Sequence, residues 1–151
     1  LIELKAVSGK EREILVDQIL ALIEKYDFEK DCILMSLDFD LIQLVRQKNP
    51  SLKTGCCMFG NLGKTTVEDL LSLDCDFVVI EENMVSNSFI SSCRRAWLPV
   101  YVWTVDMEEN MRKYLDMGVN GLISDKPYLV KEVLEDYSFQ GIPAGEDYYF
   151  S

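Results

Sequence analysis

Short apolar runs alternate with amphipathic stretches along almost the whole chain, and that alternation constrains its fold more than any other feature. The runs lie at 1–5 (LIELK), 32–36 (CILMS), 53–59 (KTGCCMF), 76–80 (DFVVI), 99–104 (PVYVWT) and 121–124 (GLIS). Each has strand length and lacks the reach of a helix. Between the first two, Ile14, Leu15, Ile19, Leu22 and Ile23 recur at helical spacing, which predicts a helix to about residue 26. Ser8-Gly9-Lys10-Glu11 reads as its capping box, the serine accepting from the Glu11 backbone and the glutamate reaching back. A second helix starts at Asp38 or Phe39 and stops before Asn49-Pro50, because the residue preceding proline disfavours the α region. A short third helix over 66–71 carries acid near its N-terminus, where the dipole favours it. Further helices follow over 85–95, over 107–117 with Gly118 as a left-handed cap, and over 127–137 with Pro127 in the first turn.

Strands that each lead into a helix through short connections define an α/β protein with a parallel sheet. Right-handed crossovers can close such a sheet into a barrel or leave it open and doubly wound. Periodicity does not choose between them. No Gly-x-Gly-x-x-Gly follows any strand, which weighs against a dinucleotide site. The 151 residues suffice for one domain, whereas a whole (β/α)₈ barrel takes about 250. Residues from 138 onward hold Gly141, Pro143 and Gly145 without periodicity and read as an extended or disordered tail.

Composition excludes several functions. Fifteen Lys and Arg against 26 Asp and Glu give a formal charge of −11, which repels nucleic acid phosphates. The chain has no histidine, so His-ligated zinc, Ser-His-Asp triads and histidine acid/base catalysis cannot come from these residues alone. The five cysteines (Cys32, Cys56, Cys57, Cys75 and Cys93) have neither disulfide-like nor metal-ligand spacing. They read as buried free thiols, which favours a reducing compartment such as the cytoplasm. No apolar run approaches membrane-spanning length, and the opening LIELKAV has no signal-peptide pattern. An opening on a strand without an initiator Met creates the expectation of a longer polypeptide upstream, on which a membrane anchor stays open.

Four segments could carry chemistry. Gly63-Lys64-Thr65 ends like a phosphate-binding loop, but Met58 stands where that motif needs its first glycine, so it reads as a strand-to-helix loop. In LIELK, two-residue alternation puts Glu3 and Lys5 on one face and Ile2 and Leu4 on the other. On a core strand that pair is expensive unless it pairs or works, and an exposed edge-strand ion pair explains it equally well. Trp103, towards the end of its strand, suits an apolar pocket wall or the core. Asp125 follows a glycine turn and a strand, close to the N-terminus of the last helix.

In this order and spacing, LIELK, VYVWTVD and GVNGLISDKP resemble the glycerophosphodiester phosphodiesterases, whose strands read roughly IELK and VWTVN, followed by GVDGIITDxP. Met35-Ser36-Leu37-Asp38 is similar to that family's SSFD, and Cys75-Asp76-Phe77-Val78 to its ADFV. The resemblance covers residues 1–136. It implies the C-terminal five or six βα units of a TIM barrel over 1–137, with 138–151 as the tail. It also implies a parent protein that hydrolyses glycerophosphodiesters to an alcohol and glycerol phosphate with a divalent cation, Mg²⁺ or Ca²⁺. Glu3 aligns with a metal-binding carboxylate, Lys5 with a basic residue at the phosphate, and Trp103 with the aromatic on the glycerol side.

The family's His-Arg-Gly, Glu-x-Asp and second histidine precede its IELK and have no counterpart in this chain. Its catalytic residues are therefore missing, its cation site is incomplete, and the chain by itself is expected to be inactive. Leu37 replaces a common Phe and Asp106 a common Asn. Open sheet edges call for cover by a missing N-terminal segment or by self-association. The rival reading is a non-catalytic α/β binding or interaction module, and a weaker third is a nucleotide-binding domain built on Gly63-Lys64-Thr65.

Overall fold

The computed structural model describes residues 1–5, 7–60 and 65–139, for 138 and 139 the backbone alone. The chain divides into two compact units, Leu1–Val78 and Val79–Ser151.

In the first unit β1 (Ile2–Glu3) leads to α1 (Glu11–Lys25), β2 (Leu34–Ser36) to α2 (Phe39–Lys48), and β3 (Thr54–Met58) to α3 (Val67–Ser72). The strands lie in chain order and all pair in parallel. The register sets Glu3 opposite Met35, and Ser36 opposite Cys56. Leu4, Val16, Ile23, Leu34, Leu41, Val45 and Leu52 form one buried cluster, against which Leu15 and Ile19 pack. At the far end of α2, the Arg46 guanidinium donates to Asp74 at 2.6 Å and to Asp76 at 3.2 Å. Asp76 in turn accepts from the Thr54 backbone at 2.8 Å, so one arginine fastens the helix to the entry into the next strand.

Start signals proved uneven. Asp38 caps α2 through the Asp40 backbone, and α2 stops at Asn49 before the proline. Thr66 and Asp69 make a reciprocal capping box on α3. The box expected at Ser8 and Glu11 is absent: Gly9 takes φ +58°, a separate turn closes through the backbone from Glu11 N–H to Ser8 O, and α1 begins only at Glu11. Helical spacing in α1 leaves open which apolar residues meet the core. Val16 is buried and Ile23 with it, while Ile14 and Leu22 are 56% and 50% exposed.

Strand β4 (Phe77–Glu81) stands at the division between the units. In the second unit a 3₁₀ turn (Glu82–Met84) follows, then α4 (Asn87–Arg95), β5 (Val100–Trp103), α5 (Glu108–Met117), β6 (Gly121–Leu122) and α6 (Pro127–Phe139). β5 and β6 pair in parallel, Tyr101 opposite Gly121 and Val102 opposite Leu122. Gly118, at φ +78°, ends α5 as its left-handed cap, and Pro127 opens α6, both as expected. α6 runs to Phe139, two residues into the expected tail, whose remainder, 140–151, lies outside the described residues. Gly63 and Lys64 of the phosphate-loop-like segment lie outside them as well.

Candidate functional site

Parallel α/β proteins of barrel type place their chemistry at the carboxyl ends of the strands, because the βα loops gather there. At that end of the first unit, Lys5 Nζ meets Glu3 Oε1 at 2.7 Å. Glu3's side chain is 29% exposed and that of Lys5 78%, so the pair is a half-buried carboxylate with a cation reaching into solvent. The expected shared face is realised and Leu4 is buried between them in sequence. Burial first, and then the Glu3 charge, push the Cys57 thiol up to about 12 against a smaller opposing effect of Lys5, which places this β3 cysteine within electrostatic reach of the pair. Cys57 is thus a protonated, inert neighbour rather than a nucleophile.

The next strand end is braced rather than open. Ser36, fully buried, donates from Oγ to Leu4 O at 2.7 Å and accepts from the Asp38 backbone at 3.0 Å. Asp38 spends Oδ1 on the Asp40 backbone and Oδ2 on Arg12, whose Nε and Nη2 lie at 3.0 and 2.8 Å. Arg12 also reaches Asp40 at 2.9 Å. With both oxygens engaged, Asp38 is held as a structural brace.

The second unit repeats the device. Ser124 Oγ, buried, donates to Asp106 Oδ1 at 2.9 Å and accepts from the Lys126 backbone at 3.0 Å. The Asp125 backbone also donates to Asp106 Oδ1, at 2.9 Å, and Lys126 Nζ donates to the Asp106 carbonyl at 3.3 Å. Asp106 therefore ties the end of β5 to the end of β6, three residues beyond Trp103. Trp103 is half-buried at the last position of β5. At the end of β4, Glu81 takes the Asn83 backbone and side chain on its two oxygens. Glu82 accepts from Asn110 through its side chain at 3.3 Å and from the Tyr114 hydroxyl through its carbonyl at 3.0 Å.

Glu3 and Lys5 are thus brought together, while Trp103 occupies the corresponding strand end of the other unit. Residue-by-residue reading missed Arg12 and the Asp106–Ser124 link. A serine at or just past a strand's end and two residues before a polar residue, as in Ser36-Leu37-Asp38 and Ser124-Asp125-Lys126, was the available signal for the turns. Arg12 left none, since its role depends on where α1 begins. Among the described residues no three Cys, Asp or Glu side chains gather to hold a metal ion. These residues do not make a cation site by themselves, and Glu3 is a single hard-oxygen donor with an ammonium beside it.

This architecture defines the chain as part of a parallel α/β protein of the TIM-barrel type. It belongs to the glycerophosphoryl diester phosphodiesterase family, whose model matches residues 2–129. The chain is 25% identical over 115 residues to a glycerophosphodiester phosphodiesterase of Caldanaerobacter subterraneus, and 26% identical over 120 residues to YhdW of Bacillus subtilis. Those matches cover 74% and 77% of this chain but 45% and 49% of the relatives, so the chain spans about half the length of the proteins it matches. Among solved structures, a glycerophosphodiester phosphodiesterase from Parabacteroides distasonis aligns with a TM-score of 0.81 at 17% identity, over 90% of this chain and 57% of that one. An Oleispira antarctica phosphodiesterase in complex with the product sn-glycerol-3-phosphate aligns with a TM-score of 0.75 at 20% identity, over 88% of this chain and 53% of that one. At these identities the structural likeness carries the fold, the α/β pattern of the partial barrel, and no more.

Proposed function

We propose that this chain forms the substrate-side part of a barrel that hydrolyses glycerophosphodiesters to an alcohol and glycerol phosphate. The observation that carries the reading is the Glu3–Lys5 pair, 2.7 Å apart at a strand's carboxyl end, in a chain whose family match spans that strand. In this reading Lys5 donates from Nζ to a phosphate oxygen, where its point charge offsets the anion. Trp103 packs its ring against the glycerol carbons. Glu3 supplies one carboxylate to a divalent cation, Mg²⁺ or Ca²⁺, whose remaining ligands come from a complementary part of the barrel. Such a cation would supply charge neutralisation at the phosphoryl group, and the described residues alone do not complete its site.

The acid and base must also come from that complement. Hydrolysis of a diester needs a proton for the leaving alkoxide, and a chain without histidine whose strand-end carboxylates are largely occupied has no evident group for it among the described residues. The chain alone is therefore expected to be inert, and its partner is either the remaining barrel segment or a second copy. The second reading is a non-catalytic α/β interaction module, which needs no metal set of the kind missing among the described residues.

The test is steady-state hydrolysis of glycerophosphocholine by this chain joined to the N-terminal half of a relative. Glu3→Gln is expected to lower activity by about 100-fold or more, on the scale of lost ligand interactions, and to weaken cation affinity. Lys5→Met is expected to raise KM. Undiminished activity and cation affinity in Glu3→Gln would remove the ligand assignment. A joined protein that binds diester without turnover would favour the module.

A further inference from the structure

The indole of Trp97 is 93% exposed, beside two arginines in a region of the chain that carries no acid. Residues 83–105 contain no Asp or Glu, although 26 of the 151 residues are acidic, and the cations within that stretch are Arg94 and Arg95. The exposed positions of α4 are Asn87, Ser88, Ser91, Arg94 and Arg95, all neutral or cationic. A shallow cleft beside them is lined by both arginines, Trp97, Gly118 and Asn120, again without a carboxylate.

The local backbone holds this arrangement outward. Leu98 N–H bonds Cys93 O at 3.0 Å and Trp97 N–H bonds Arg94 O at 3.2 Å, the paired closure that ends many helices. Its left-handed position ordinarily takes glycine, yet here Trp97 occupies it at φ +56°. A bulky residue in that conformation is uncommon, and at 93% exposure its ring gains little from packing within the chain. Arg94 is spent on the carbonyls of Met117 and Gly118, at 2.9 and 3.4 Å, and keeps its charge there. Arg95 contacts Ser92 Oγ at 2.8 Å and is otherwise directed to solvent.

We propose that the end of α4, through Trp97 with Arg94 and Arg95, docks onto the anionic headgroups of a phospholipid bilayer. An amphipathic indole favours the headgroup level of a membrane, and arginines near an anionic leaflet are attracted to it. The complementarity is local: residues 83–105 carry two arginines and no acid, and salt confines such an attraction to a Debye length of about 8 Å at physiological ionic strength. One indole beside two arginines falls short of the broad contact of a stable protein interface, about 800 Å² from each partner. It matches a shallow contact with headgroups. Among the described residues no helix is long and apolar enough to cross a membrane, so this is peripheral docking.

The test uses the 151-residue chain with phosphatidylcholine vesicles prepared with and without phosphatidylserine, read by co-sedimentation and tryptophan emission. Trp103, the other of the two tryptophans, serves as the internal reference. Association and a blue shift are expected with the phosphatidylserine vesicles at low salt, declining as salt rises. Arg95→Gln is expected to weaken association about fivefold, the effect of one arginine at an anionic surface. Trp97→Gly is expected to abolish the shift, in a chain that stays folded because glycine suits the position. Equal binding to neutral vesicles, equal binding by Trp97→Gly, or no binding at low salt would overturn the proposal. Self-association that depends on Trp97, without vesicle binding, would also overturn it and assign the patch to a second copy.

Discussion

Gly55 and Phe77 divide a single space in the first unit. A β-carbon built on Gly55 would fall 2.1 Å from the Phe77 ring, which is itself 95% removed from solvent. Gly55→Ala is therefore expected to cost about 1–3 kcal/mol through overpacking, read as a lowered urea midpoint, and Phe77→Leu should recover part of it. An unchanged midpoint would mean that the ring moves aside freely. Tyr137 gives a pH-dependent counterpart. Burial, and a hydrogen bond donated to Asp116, push its hydroxyl up to about 12. The unfolded chain releases this proton near pH 10, so the stabilisation is complete below that pH and is lost as pH rises through about 12. Tyr137→Phe should flatten the alkaline limb of the stability profile, measured by urea unfolding across that range. A limb identical to that of the parent chain would contradict the assignment.

At the scale of elements, strand ends are tied by serines. Ser36 bonds the carbonyl of Leu4 and the amide of Asp38, so it joins the ends of β1 and β2 and sets the cap of α2. Ser36→Ala strands a buried carbonyl and is expected to cost about 1–3 kcal/mol, with amide exchange at Asp38 rising; a loss confined to a few tenths of a kcal/mol would argue that water replaces the hydroxyl. Elements were legible in the sequence where a residue acts on its own backbone. Gly118, Pro127 and Asn49-Pro50 placed helix ends correctly, because φ limits and a missing donor act locally. Phase and contact were less legible. In α1 the apolar residues outnumber the buried positions, so helical spacing alone does not tell that Ile14 and Leu22 stay exposed while the helix turns Val16 inward. Ser8 and Glu11 had the right spacing for a capping box, yet Gly9 made a tighter turn available and the helix started later. Arg12 and the Asp106–Ser124 link join residues 26 and 18 apart in sequence, and no local rule anticipates which partners meet at that range.

For the whole molecule, we propose that these residues furnish the substrate side of a phosphodiesterase barrel whose acid, base and remaining metal ligands lie in its complement. Glu3 and Lys5 were legible as a pair because a two-residue period fixes the face they share, and the 2.7 Å contact agrees. Their chemistry was not, since a lone carboxylate and a lone ammonium make an ordinary ion pair until other groups converge on them. The most direct measurement is the rate of glycerophosphodiester hydrolysis, with added Mg²⁺ or Ca²⁺, by the 151-residue chain alone and then mixed with the N-terminal half barrel of a relative. No turnover is expected from the chain alone, and cation-dependent turnover, lost with Glu3→Gln, is expected on mixing. Turnover by the isolated chain, or complemented activity indifferent to Glu3, would contradict the proposal.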